Sequence, residues 1–220
     1  MRPAGRGASP GRAASPGTGD PGPRMRAHDR HMTPSSAGPI PRDAFRGRWE
    51  DRLWLNVPGP FYGAGTDTCA TGRLSAPGHV LYGGEHFTEY VYRQPRTPAE
   101  VALVVEAAAA DPFLGYGCDG DRRWTPRTVR EWWRDRGRIV EYLAGHRRTW
   151  EELAARSGQG EDIAVRDFES HLAGGLEADL RAFLFRLEEG RSPTPDDRLL
   201  PALRPPSRRR GRAQPAAGAS

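Results

Sequence analysis

The sequence predicts an α+β protein in which a small, irregular, β-rich N-terminal half packs on a helical C-terminal half, between two disordered tails. Residues 43–96 are rich in Gly, Pro, Thr and aromatic side chains, a composition typical of short strands and structured loops. After residue 96 the apolar residues recur every three or four positions, which indicates helices. All 19 aromatic residues lie between Phe45 and Phe185. We therefore expect one α+β domain at residues 43–190.

The two ends of the chain have the composition of disordered segments. Residues 1–42 contain seven Gly and eight Pro, and residues 191–220 contain six Pro and the arginine-rich run 208–212. Such segments bury too little apolar surface to offset about 1–2 kcal/mol of backbone entropy per ordered residue. We expect both tails to be mobile and to make no contact with the domain. We also expect translation to begin at Met25 or Met32, within the first tail.

The first half of the domain is predicted to hold short strands. Residues 49–57 begin as a helical turn and continue as a strand at 53–57. The Pro-Gly-Pro sequence at 58–60 then enforces a loop, because proline lacks an amide donor and restricts the preceding residue. Strands are expected at 79–82, ended by two glycines, and at 87–93, which alternates and contains Tyr90, Val91 and Tyr92.

The second half is predicted to be helical. Thr97 and Thr125 each precede a proline, and this pairing of a capping residue with proline in the first turn marks a helix start. The first helix should end at Asp111, and the second should break at Gly137 and continue to 157. Residues 161–173 form a weaker helix candidate, and a last helix should follow Gly174 and Gly175.

The charge distribution separates the domain from the tails. The net charge is +5, yet each tail alone carries +5, while residues 43–190 carry 19 Arg and 24 acidic residues. The domain is therefore mildly acidic, which argues against a nucleic-acid partner there and leaves one conceivable only for the tails. The most apolar run, 101–110, is far shorter than the roughly 20 residues of a membrane span. We expect a soluble, cytoplasmic protein.

Two loops supply the candidate binding residues. The loops at 56–69 and 115–121 combine glycine, aromatic and hydrogen-bonding residues, and long loops of this kind often display binding groups. The alternative is that they simply pack aromatic side chains onto the core. The candidate pocket consists of Tyr62, Thr66, Asp67, Cys69, Cys118, Asp119, Asp121 and Trp124.

The two cysteines, Cys69 and Cys118, leave several chemistries open. With His79 or His86 they could form a zinc site, but the sequence lacks the paired spacing of common zinc modules. Either thiol could instead be a nucleophile, with one of those histidines as base and Asp67 or Asp119 orienting it, or the two could form a disulfide. We expect free, buried thiols and no metal or cofactor. His146 and His171 are expected on the surface.

Several motifs resemble a family of uncharacterised actinobacterial proteins. They are DRLW at 51–54, NVPGPFY at 56–62, TDTC at 66–69, YVYRQP at 90–95, GYGCDGD at 115–121 and WW at 132–133, with a further likeness at 179–188. The resemblance covers most of the domain and neither tail. It implies no known active site. Some of these proteins carry a ferredoxin label, although two thiols are fewer than the four that an ordinary iron–sulfur cluster needs.

The sequence favours a non-enzymatic binding protein, of the immunity or antitoxin kind, that acts on a protein partner through its acidic, aromatic-rich domain. Small size, the acidic domain and the lack of an assembled catalytic set favour this interpretation. One alternative is a small enzyme or ligand-binding protein that uses the two loops. The other is a ferredoxin-like electron carrier.

Overall fold

The computed structural model describes residues 41–198 and residue 203. The predicted start sites at Met25 and Met32, and most of both predicted tails, lie outside these residues. The described part is an α+β structure, which confirms the predicted fold class. Its strands are β1 (Tyr62–Gly63), β2 (Val80–Gly83), β3 (Thr88–Val91) and β4 (Tyr116–Gly117). Its helices are α1 (Thr71–Ser75), α2 (Pro98–Ala110), α3 (Gly120–Arg123), α4 (Pro126–Asp135), α5 (Gly137–Ser157), α6 (Glu161–Ser170) and α7 (Leu176–Glu189).

The strands form two antiparallel pairs. β1 pairs with β4, and β2 pairs with β3 in a hairpin whose turn includes Gly84 and Phe87 at positive φ. The strands predicted at 79–82 and 87–93 are therefore confirmed. The strand predicted at 53–57 is wrong. In its place the side-chain amide of Asn56 donates to the carbonyls of Leu53 and Gly63 and accepts from the amides of Gly63 and Val91. Through its bonds to Gly63 and Val91, this buried side chain connects β1 with β3.

Both predicted threonine caps are present. The Thr97 hydroxyl accepts from the Glu100 amide while the Glu100 carboxylate accepts from the Thr97 amide, so α2 begins with a capping box. Thr125 and Thr128 form the corresponding box at α4. The predicted break at Gly137 separates α4 from α5. These helix starts follow directly from local sequence.

The two predicted C-terminal helices are joined without a loop. Residues His171–Gly175 form a π-helical turn that connects α6 to α7. Such turns insert an extra residue into a helix and are frequent at functional sites. His171, at the start of this turn, and four residues of α7 help to line a cavity that is described below.

Two hydrophobic clusters meet at the β2–β3 hairpin. The cross-strand pair Val80 and Val91 belongs to a smaller cluster with α2, and the neighbouring pair Leu81 and Tyr90 belongs to a larger one with helices α4 to α7. Alternate residues of a strand point to opposite faces, so the hairpin contributes to both clusters. Within the described residues, no helix is both long enough and apolar enough to cross a membrane.

The expectation that residues after 190 make no contact with the domain is wrong at Leu203. This side chain is buried in the larger hydrophobic cluster. Its amide donates to the Glu177 carboxylate, and its carbonyl accepts from the indole N–H of Trp133. Leu203 itself therefore belongs to the core of the domain.

Candidate functional site

The strongest candidate site is a cavity of about 410 Å³ on one face of α7. Asp179, Phe183 and Arg186 lie four and three residues apart, so they share that helix face. The loop at 58–60, the segment 94–96, and Ser192 and Pro193 also line the cavity. The lining combines apolar residues with six polar or charged ones, Gln94, Arg96, His171, Asp179, Arg186 and Ser192.

His171 is the most deeply buried polar group of this cavity, and the prediction that it lies on the surface is wrong. Only 4% of its side chain is exposed, and it is the first residue of the π-helical turn. Its Nε2 atom is buried and, within the described part of the chain, makes no hydrogen bond, although it lies 3.5 Å from Asp179 Oδ2. Burial lowers the pKa of His171, and Asp179 only partly counteracts this effect. The imidazole is therefore neutral near pH 7.

Asp179 forms an ion pair with Arg96. Nη2 of Arg96 donates to both oxygens of the Asp179 carboxylate, and this hydrogen bonding raises the pKa of the guanidinium. Arg96 immediately precedes the α2 capping box, where its own amide donates to the Glu100 carboxylate. The start of α2 thus fixes one wall of the cavity against α7.

Arg186 borders the other end of the cavity. Its Nη2 donates to Asp121 at 2.7 Å, and its guanidinium lies 5.0 Å from the centre of the Phe183 ring. Its Nε atom is buried without a hydrogen-bond partner among the described residues. A buried, charged donor left unpaired is costly, by about 1–3 kcal/mol or more.

Gln94 holds the loop at 58–60, which we call the proline loop, through three hydrogen bonds. Its side-chain nitrogen donates to the carbonyls of Val57 and Phe61 at 2.8 Å each, and its oxygen accepts from the Phe61 amide. A Cβ atom at Gly59 would lie 2.2 Å from the Gln94 side chain, so a larger residue there would have to displace Gln94 from these hydrogen bonds. The cavity wall is therefore formed before any ligand arrives.

Three residues of the predicted pocket come together elsewhere. The Tyr62 hydroxyl donates to Asp119 at 2.6 Å, and the ring of Trp49 packs edge-on against both Tyr62 and Trp124. Burial, reinforced by Asp119, raises the pKa of Tyr62, while the Tyr62 hydrogen bond and Arg123 together lower the pKa of Asp119 despite partial burial. These contacts hold the 115–121 loop against β1.

Two further predicted residues join a separate buried polar cluster. The Thr66 hydroxyl accepts from the Glu89 amide, and Asp67 donates its amide to Asp111 while its carboxylate accepts from Thr71. The Glu89 carboxylate accepts from the Tyr116 hydroxyl. Burial raises the pKa of Glu89 to about 7, and the nearby Asp67 and Asp111 add to this effect against the hydrogen bonds of Tyr116 and the Arg73 amide.

The remaining predicted residues are dispersed. Cys69 is exposed and Cys118 is half-buried, and both are free thiols, so the expectation of buried thiols is wrong for Cys69. Burial raises the pKa of Cys118, which disfavours the thiolate needed for attack. His79 is bonded through Nδ1 to the Arg93 carbonyl. Among the described residues, no group of three or more His, Cys, Asp or Glu side chains is arranged to hold a metal ion.

A second, smaller cavity of about 260 Å³ lies beside α4. It is lined by three tryptophans, Trp54, Trp124 and Trp132, and by charged groups of both signs. The guanidinium of Arg138 stacks on Trp54 at 3.9 Å, and the acidic lining groups are Glu131 and Asp135. We call this surface the tryptophan groove.

Sequence reasoning identified neither His171 nor Arg186 as a site residue. The helical pattern around 171 gave no sign of a π-helical turn, and no spacing rule connects position 96 with position 179. The one available signal was Asp121, a predicted pocket residue that does reach α7 through Arg186. Comparison of the chain with protein-family models, curated proteins and solved structures found no match.

Proposed function

We propose that this protein is a binding protein that holds a small organic ligand in the α7 cavity. The observation that carries the proposal is the cavity of about 410 Å³, in which α7, the start of α2 and the loop at 58–60 enclose one space lined in part by the buried His171. A concave pocket that brings apolar side chains together with a few convergent polar groups is the usual form of a small-molecule site. The preformed walls described above support the same conclusion.

Ligand binding is tested by screening small molecules for an increase in thermal stability and for changes in the imidazole NMR signals of His171. The blocking variant is Ala182→Phe, which places a ring into the cavity from α7. Ala178→Phe is the matched control, because Ala178 is an exposed position on the same helix. We expect ligands that stabilise the protein and the Ala178→Phe variant alike but do not bind Ala182→Phe.

Equal binding to both phenylalanine variants would place the ligand outside the cavity and contradict the proposal. A screen that yields no ligand for the unaltered protein would do the same. His171→Gln should weaken binding, whereas His146→Gln should not, because His146 is bonded through Nδ1 to the carbonyl of Tyr142 on α5, away from the cavity.

The second candidate function is recognition of a protein partner through the tryptophan groove. Trp132 favours it, because this half-buried side chain has an indole N–H without a hydrogen-bond partner among the described residues. Tryptophan is enriched at the centres of protein interfaces. If this function is correct, Trp132→Ala abolishes capture of the partner, while Val140→Ala, at an exposed position outside the groove lining, leaves capture intact.

A further inference from the structure

The lining of the tryptophan groove includes an arginine that is held in place by aromatic rings. The guanidinium carbon of Arg52 lies 3.9 Å from the centre of the Trp49 ring and 4.9 Å from that of Trp124. These two rings meet edge-on, at 88°, so the guanidinium lies in the corner between them. Its Nη1 atom donates to the carbonyl of Trp49. The side chain is therefore oriented before a partner arrives, which lowers the entropic cost of binding.

The other edge of the Arg52 guanidinium is open. Its Nε and Nη2 atoms make no hydrogen bond within the described residues, and both reach solvent. No carboxylate in the described part of the chain lies within ion-pair distance of this half-buried side chain. Burial lowers the pKa of Arg52, and Tyr62 offsets this effect only in part, yet a guanidinium stays charged at neutral pH. Arg52 thus presents two reachable donors and a positive charge that no ion pair neutralises.

The other charged groups of the groove leave a surplus of positive charge. The second arginine of the lining, Arg138, is exposed and likewise forms no ion pair with the described residues. The two acids of the lining are paired with arginines from outside it. Glu131 is bound by Arg127 at 2.9 Å. Asp135 is bound by Arg134 at 2.9 Å, and its pKa is lowered chiefly by Arg134 and less by Arg138. An anionic group is therefore the complementary partner for this groove.

The size of the groove and the charge of the domain indicate what supplies the anion. The groove encloses about 260 Å³, which is less than the roughly 300–1,000 Å³ of most small-molecule pockets and suits the side chains of a bound segment. Residues 43–190 contain 19 Arg and 24 acidic residues, so the domain as a whole repels a polyanion such as nucleic acid. Arginine and tryptophan are both enriched at the energetic centres of protein interfaces. A single carboxylate on a protein segment meets all of these conditions.

We infer that the tryptophan groove recognises a protein segment with one Asp or Glu side chain, whose carboxylate accepts from Nε and Nη2 of Arg52 while a neighbouring apolar side chain packs on Trp132. The Nε and Nη2 edge of a guanidinium is a planar fork that matches the two oxygens of a carboxylate. This inference rests on the second proposed function, because it specifies the chemistry of the partner that the same groove binds.

The probes for the test are short random peptides displayed on phage and selected on the full-length protein. Binding to Trp132→Ala is then measured, and the peptides that lose affinity for this variant are retained as groove-dependent. We expect the retained peptides to have a common Asp or Glu position. Synthetic peptides in which Gln or Asn replaces that acid should bind at least about tenfold more weakly by fluorescence anisotropy, as is usual for the loss of a charge-assisted hydrogen bond.

Variants of the protein localise the carboxylate. Arg52→Gln should bind the acidic peptide at least about tenfold more weakly and should no longer distinguish it from its amide counterpart. Arg48→Gln is the matched control, because Arg48 lies in the same segment and pairs with Asp51 but does not line the groove. If both variants retain the affinity of the unaltered protein, or lose it equally, the carboxylate is not held by Arg52 and the inference is wrong. Should Arg52→Gln not fold, the acid-to-amide comparison on the unaltered protein decides.

This inference and the second proposed function fail in distinguishable ways. Groove-dependent peptides that lack an acid, or that bind equally well with an amide in its place, would overturn the inference and leave recognition of a protein partner standing. If no selected peptide depends on Trp132, both are wrong. An oligothymidylate that binds more tightly than the selected peptides, and loses affinity for Arg52→Gln, would show that the groove recognises phosphate and would also overturn the inference.

Discussion

At the residue scale, the clearest physical consequence is the buried carboxyl of Glu89. It has no solvent-exposed surface and shares its surroundings with Asp67 and Asp111. Gly72 lies so close that an added Cβ would meet Glu89 Oε2 at 2.5 Å and the Tyr116 hydroxyl at 2.3 Å. The site is tightly packed, so the charged form of Glu89 cannot gain hydration by a small movement.

This environment predicts a specific pH dependence of stability. The pKa of Glu89 rises from 4.5 in the unfolded chain to about 7 in the folded one. The folded state thus favours the protonated carboxyl, and the stabilisation is complete below pH 4.5 and is lost as the pH rises to about 7. The loss is about 3 kcal/mol at 1.4 kcal/mol per pH unit.

Glu89→Gln removes this dependence, because a neutral amide replaces the carboxyl. Urea unfolding of both proteins across this pH range should show the wild-type free energy of unfolding falling relative to the variant by about 3 kcal/mol. His171 contributes equally to both proteins and cancels in the difference. Glu50→Gln, at an exposed position, is the control. Parallel curves for wild type and Glu89→Gln would refute the assignment.

At the element scale, the π-helical turn His171–Gly175 ends in two neighbouring glycines, Gly174 and Gly175, that have different surroundings. A Cβ at Gly174 meets no atom within 4 Å, whereas a Cβ at Gly175 would lie 3.0 Å from His171 Nδ1. Neither glycine has a positive φ, so alanine is compatible with the backbone at both positions. The pair is therefore a matched test of how the turn holds His171.

We expect Gly174→Ala to raise the free energy of unfolding by about 0.5–1 kcal/mol, since alanine loses less backbone entropy than glycine on forming a helix. Gly175→Ala has the same entropic advantage, but its Cβ would crowd the imidazole of His171. This variant should therefore be less stable than Gly174→Ala, and its His171 imidazole NMR signals should shift. Chemical denaturation and NMR of the two variants measure both effects. Identical stabilities with unshifted His171 signals would contradict this geometry.

At the scale of the whole molecule, Leu203 ties a distant part of the chain to the domain. Its side chain is 9% exposed and packs in the larger hydrophobic cluster, and its peptide groups bond to Trp133 and Glu177 on two different helices. The folded unit therefore includes more of the chain than composition alone indicated.

Leu203→Ala should lower the free energy of unfolding by about 2 kcal/mol, the lower end of the range for buried leucine, because the site lies at the edge of the core. Leu74→Ala is the control: Leu74 is 58% exposed, and its truncation should cost about 0.5 kcal/mol or less. Thermal or urea unfolding measures both. A Leu203→Ala variant as stable as the control would show that this contact does not support the fold.

The sequence by itself determined the features that depend on neighbouring residues. The fold class, the two threonine-capped helices and the β2–β3 hairpin all follow from short-range patterns, because caps, turns and periodicity act within a few positions. The strand predicted at 53–57 does not form. The side chain of Asn56 accepts from the amide of Val91, 35 positions away, and so makes a hydrogen bond that the backbone of a strand would otherwise make.

Only the tertiary structure decided where the candidate site lies. Arg96 and Asp179 are separated by 83 positions, and Nε2 of His171, in the π-helical turn before α7, lies 3.5 Å from Asp179. No local sequence pattern encodes a contact over such a distance, and the sequence alone does not distinguish a buried histidine from an exposed one. The cavity exists because packing brings α7, the start of α2 and the proline loop together, which is a property of the whole chain.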